Sequence, residues 1–133
     1  MFKLAKKSKK TKRKINLLTF TSKNGTLISV GRNNIQNEYL TFEYAKFYET
    51  FFHVKDYSGA HVVVHSQNLD EDTIRMAANL AAYYSKAKYS NSVPIDYTQV
   101  KNVKKHPANL PGKVLIKNYK TIYIDPIDPN KKN

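Results

Sequence analysis

Phe51–Val64 reads FFHVKDYSGAHVVV. Phe51, Phe52 and Val54, then Val62, Val63 and Val64, are strand-forming and core-seeking. Ser58-Gly59 between them is a turn signal, so the stretch predicts a β-hairpin. Alternation along the second strand sets His61, Val63 and His65 on one face and Ala60, Val62 and Val64 on the other. One face then looks core-directed and the other carries imidazoles. Depending on register, His53 falls beside His61 or Val62. Packing alone gives no use for His53, Lys55, Asp56 and His61 in the middle of an apolar hairpin, so its rim is read as a binding surface.

Working outward, Asn16–Thr21 and Thr26–Gly31 predict a second hairpin around Lys23-Asn24-Gly25. Gly31-Arg32-Asn33-Asn34 ends that strand and opens a helix over about Ile35–Phe47, with Leu40, Tyr44 and Phe47 at helical spacing. The two asparagines either cap and turn the chain or, with Arg32 and the free N–H groups of the helix start, hold an anion. A second helix is predicted over about Glu71–Ala87. Asp70, Glu71 and Asp72 suit its start, Lys86 and Lys88 its end, and Ile74, Ala77, Ala78 and Ala81 form a small-residue packing stripe. Val93–Val100 reads as a strand and His106–Gly112 as a loop. Lys113–Lys117 and Thr121–Asp125 read as a last hairpin around Asn118-Tyr119-Lys120. The whole predicts one α+β domain, a mainly antiparallel sheet built from hairpins with two packed helices.

The 133 residues suffice for a single core, and ten Tyr and six Phe without Trp or Cys are a globular composition. Apolar runs are short, so no membrane span is expected. The basic N-terminus lacks the apolar stretch of a secretory signal. The missing cysteines exclude disulfides and suit a cytoplasmic location. Net charge is +13, and residues 1–14 hold +8 of it, leaving +5 for the remainder. That N-terminal segment reads as a disordered basic tail or linker and residues 127–133 as a C-terminal tail. Basicity that extends into the folded part, with a cluster at Lys101, Lys104 and Lys105, points to a polyanion, and in the cytosol to nucleic acid.

Other chemistries find less support. His61 and His65 sit four residues apart on a strand, about 13 Å by strand rise, too far to share an ion. Only His53, Asp56 and His61 could converge, as a metal or acid–base set. No nucleophile pattern or glycine-rich phosphate loop accompanies them, so no metal, cofactor or catalytic residue is expected.

Four stretches in order carry a resemblance: VGRNNIQNEYLTFEYAK (30–46), the 51–64 hairpin, AANLAAYYSKAKYSNSVPIDYTQVKNVKK (77–105) and GKVLIKNYKTIYIDP (112–126). Residues 16–126 resemble the NFACT-R domain, the RNA-binding domain of the family of RqcH, fibronectin-binding protein A and NEMF. In that family the domain ends a longer protein acting in ribosome-associated quality control, which binds stalled large ribosomal subunits and recruits tRNA for C-terminal tailing. The resemblance implies tRNA and large-subunit rRNA as partners, no enzymatic activity of this domain, and an excised or stand-alone copy. By motif it implies an RNA-binding set of Arg32, Asn33, Asn34, Asn37, His53, Lys55, Asp56, His61, Lys101, Lys104 and Lys105. This sequence departs from the family in having Phe51 where a Trp is usual and Ser58-Gly59-Ala60 for a Pro-Gly-Ser turn, a change expected to loosen the loop. The alternatives are an RNA-processing enzyme using His53, Asp56 and His61, and a surface adhesin binding fibronectin.

Overall fold

A computed structural model describes residues 15–108, 110 and 113–131. The expected basic tail at 1–14 lies outside these residues. Among the described residues eight strands and two α-helices follow in order: β1 (Leu18–Thr21), β2 (Leu27–Gly31), α1 (Asn34–Tyr39), β3 (Thr50–Val54), β4 (His61–Val64), α2 (Glu71–Tyr83), β5 (Val93–Gln99), β6 (Val103–Lys105), β7 (Val114–Ile116) and β8 (Lys120–Ile124). Six strands form one wholly antiparallel sheet, ordered β1-β2-β4-β3-β5-β8, and β6 and β7 pair as a separate ribbon. The α+β architecture read from the sequence is what the chain adopts.

Alternation along the strands divides the sheet into two faces. Phe52, Val54, Val62, Val64 and Ile95 point to α2, whose Ala77, Ala78, Ala81 and Ala82 let the helix lie close; all are essentially unexposed. Phe51 and Val63 point the opposite way, into a smaller cluster with Leu40, Val100 and Val103. α1 and the ribbon cover that second face only in part.

Three boundaries differ from the sequence reading. The first helix ends early: α1 passes into a single π-turn at Leu40–Tyr44, and Ala45 is extended. Leu40 is buried as expected, but Phe47 lies beyond the helix and is exposed. α2 stops at Tyr83 rather than near Ala87 because the chain turns back to the β3–β4 connection, where Gly59 bridges Ser85. The predicted last hairpin does not form. β7 pairs with β6 and β8 with β5, so Asn118, at φ 53°, turns the chain from the ribbon to the main sheet. Local turn chemistry identified the reversal; only the partners' apolar faces could choose the pairing.

The β3–β4 connection also differs. Its left-handed residue is Asp56 (φ 64°), not Gly59. Gly59 instead permits close approach, since a Cβ there would lie 2.8 Å from the Ser85 Cβ. Ala60 N–H donates to the Tyr84 carbonyl (2.9 Å) and Lys86 N–H to that of Ser58 (3.2 Å). These bonds tie the Ser58-Gly59-Ala60 connection to the end of α2.

Candidate nucleic-acid interface

Where α1 and the ribbon leave the second sheet face uncovered, a cleft of about 870 Å³ opens. β3 and β5 supply its floor with His53 and Asp96; the start of α1, the β3–β4 connection and the turn after α2 supply its walls. Register explains the floor, because His53 is paired with Asp96, and Asp96 with Thr121.

At the centre, Lys55 Nζ lies 3.1 Å from the Asp96 carboxylate and 4.8 Å from the Tyr119 ring centroid. Asp96 also accepts a 2.7 Å hydrogen bond from the Thr121 hydroxyl. Bonding to Asp96 raises the Lys55 ammonium above its ordinary pKa, so it stays charged through neutral pH. Burial is the leading influence on His53 and pushes its pKa down; a backbone hydrogen bond at Val54 and the Asp96 charge oppose it, while Lys113 adds to it. His53 is therefore a neutral imidazole at neutral pH.

The start of α1 is closed by its own side chains. Asn33 is the N-cap, its Oδ1 accepting the Gln36 N–H at 2.9 Å, while Gln36 Oε1 accepts the Arg32 N–H at 2.9 Å. The capping reading of the asparagines accounts for Asn33, and leaves the exposed Arg32 and Asn34 side chains on the cleft wall. Asn37 is buried: its Oδ1 accepts the His61 N–H at 3.1 Å.

Seven of the expected residues thus line one cleft: Arg32, Asn33, Asn34, Asn37, His53, Lys55 and Asp56. His61 is not on its rim. It is fully buried, with Nδ1 2.7 Å from the Thr41 hydroxyl and its ring edge-on to Phe51 and His53. Both faces of β4 are covered, so a histidine on the imidazole face became part of the core. Phe51, at the usual Trp position, is buried beside it and stacks on His53 at 6.2 Å. Asp56 lies exposed at the tip, and the carboxylate that meets Lys55 belongs to Asp96. Lys101, Lys104 and Lys105 do not line the cleft. Lys105 instead pairs with Glu38 at 3.2 Å and lies over the Phe42 ring.

Sequence reasoning missed Lys86, Lys113, Tyr57 and Tyr119, all of which line the cleft. Lys86 and Tyr119 arrive on connections that only the tertiary fold brings to β3; the Tyr119 turn was visible, its destination was not. Arg32, Lys55, Lys86 and Lys113 set four cations against Asp56 and Asp96, so the lining favours an anion. Among the described residues no group of three or more His, Cys, Asp or Glu could hold a metal ion, and no helix is long and apolar enough to cross a membrane.

Comparison with known proteins agrees with this architecture. Residues 16–118 match the family model of the NFACT protein RNA binding domain. The chain is 47% identical over 110 residues to the Rqc2 homolog RqcH of Bacillus subtilis (strain 168), covering 83% of this chain and 19% of that protein. It is 44% identical over 110 residues to the Rqc2 homolog RqcH of Streptococcus suis (strain 05ZYH33), covering 81% and 20%. The chain therefore spans about a fifth of the length of these curated relatives. The solved C-terminal structure of the fibronectin/fibrinogen-binding protein from Streptococcus suis superposes with a TM-score of 0.80 at 37% identity, over 89% of this chain and 50% of that one. The chain belongs to the NFACT protein RNA binding domain family.

Proposed function

We propose that this domain binds structured RNA in the cleft between α1 and the β3–β4 connection, as the RNA-contacting part of a ribosome-associated quality control factor. The observation that carries the reading is the convergence of Arg32, Lys55, Lys86 and Lys113 with Tyr57 and Tyr119 around one opening. Cations there meet phosphates, the tyrosines offer faces for stacking, and neutral His53 and Asn34 offer hydrogen bonds to sugar or base edges. Asp96 holds Lys55 in place and tempers its charge. tRNA and large-subunit rRNA are the proposed partners, the cytoplasm the proposed location, and binding without catalysis the proposed activity. Lys101, Lys104 and Lys105 lie outside the cleft and are proposed as peripheral phosphate contacts, Lys105 least since Glu38 neutralises it.

Crosslinking in cells followed by sequencing of bound RNA tests the proposal, with a His53→Ala/Lys55→Ala double variant as control. Enrichment of tRNA and large-subunit rRNA, lost in the variant, is expected. In vitro, affinity should fall steeply with salt through release of condensed counterions. Binding that stays flat between low and moderate salt overturns the reading. A second reading, adhesion to fibronectin, is favoured by the name of the similar Streptococcus suis structure. Fibronectin binding that excess RNA fails to displace would select it.

A further inference from the structure

At the end of β3 opposite the cleft, residues 46–49 make a tight turn that holds two aromatic rings in solvent. Phe47 is 66% exposed and Tyr48 39%, and their rings meet edge-to-face at 5.5 Å. Exposed rings on a loose loop would be unremarkable, but this turn is pinned. Glu49 N–H donates to the Lys46 carbonyl, Lys101 N–H to the Phe47 carbonyl and Val100 N–H to the Glu49 carbonyl, all within 3.0 Å. The buried Glu49 carboxylate accepts the Lys46 N–H at 2.8 Å and lies 3.0 Å from His65 Nδ1, whose other ring nitrogen is 2.8 Å from the Ser29 hydroxyl. A buried polar relay thus fixes a turn whose apolar side chains gain little from the fold. Lys46 and Lys101, both exposed, flank the rings.

We infer that the Phe47–Tyr48 turn is a second RNA contact, a platform on which an unpaired base stacks while Lys46 and Lys101 meet the adjoining phosphates. Preformed rings lose little entropy on binding, and flanking cations with no charge of opposite sign in the turn's exposed positions match a single strand better than an apolar protein pocket. None of Lys46, Phe47, Tyr48 and Lys101 lines the cleft, and His53 on its floor lies four residues along the chain from Glu49, about 13 Å by strand rise, so the two contacts are distinct. The inference rests on the RNA-binding reading of the domain.

The test uses the full chain, its Phe47→Ala/Tyr48→Ala variant and its Phe47→Trp variant, titrated against labelled oligouridine and a fully paired RNA duplex. The double variant should lose roughly tenfold or more in affinity for oligouridine, about the worth of stacking one base, with duplex affinity and salt slope unchanged. Phe47→Trp should retain or tighten oligouridine binding. Equal loss on both probes, or none on oligouridine, overturns the platform while the cleft reading stands. Loss of binding to a protein partner with oligouridine binding intact also overturns it. Wild-type chain that binds neither probe overturns the RNA reading itself.

Discussion

The two faces of the six-stranded sheet are made by alternate residues of the same strands, yet they are used differently. Toward α2, Phe52, Val54, Val62, Val64 and Ile95 join one apolar cluster and are excluded from water. On the opposite face, Phe51 and Val63 are sealed under Leu40, while His53, Lys55 and Asp96 a few residues along remain at an open cleft. One face has a cover that matches its length. The other has a short helix, one π-turn and a two-stranded ribbon, and the uncovered remainder is polar. The difference teaches that the cleft proposed to bind RNA is the part of the second core left unfilled, with its polarity set by residues that would be costly to bury.

The largest effect expected from testing this contrast is on the α2 face. Phe52 is fully buried and stacked on Tyr97 at 4.9 Å. Phe52→Ala should cost about 3–5 kcal/mol in denaturant unfolding, with RNA affinity per folded molecule unchanged. Changed affinity at full folding would break the division of labour. Gly31→Ala should couple stability to binding. Its Cβ would lie 2.6 Å from Asn37 Oδ1 and 3.0 Å from the Asn37 backbone nitrogen, so the start of α1 must shift. A loss of about 1–3 kcal/mol is expected, together with weaker RNA binding, because α1 carries the cleft wall.

Lys55→Ala should do the reverse. Its ion pair is only partly shielded from water, so stability should change by about 1 kcal/mol or less. RNA affinity should fall and the logarithmic salt slope drop by about one, measured by anisotropy across a salt series. The smallest effect concerns His53. Its folded pKa lies below the ordinary 6.5, so the unfolded chain takes up the proton first. Its contribution is intact above that value and declines as pH falls from there toward the folded pKa, below which it changes no further. Unfolding measured from neutral to mildly acid pH should show that decline in the wild type, and His53→Gln should flatten it.

Much of this was legible in the chain. The strands at 51–54 and 61–64 announced themselves through β-branched and aromatic residues, and the acidic run Asp70–Asp72 and the alanine stripe located α2 within a few residues. The early end of the first helix was not legible, because Phe47 continues the apolar period while being recruited to a turn. Nor was the fate of His61: a polar residue at a strand position looks like a rim group until the element that covers it is known.

The sequence by itself determined the fold class, the basic character and the family, because strand propensity, helix periodicity and ordered motifs are local properties written residue by residue. Only the tertiary structure decided that β7 and β8 part company, that Asp96 rather than Asp56 meets Lys55, and that Lys86 and Tyr119 join the cleft while Lys101, Lys104 and Lys105 do not. Those outcomes depend on which apolar faces bury each other across long stretches of chain. Burial is a property of the assembled layers, so no single stretch, the 51–64 hairpin included, contains it.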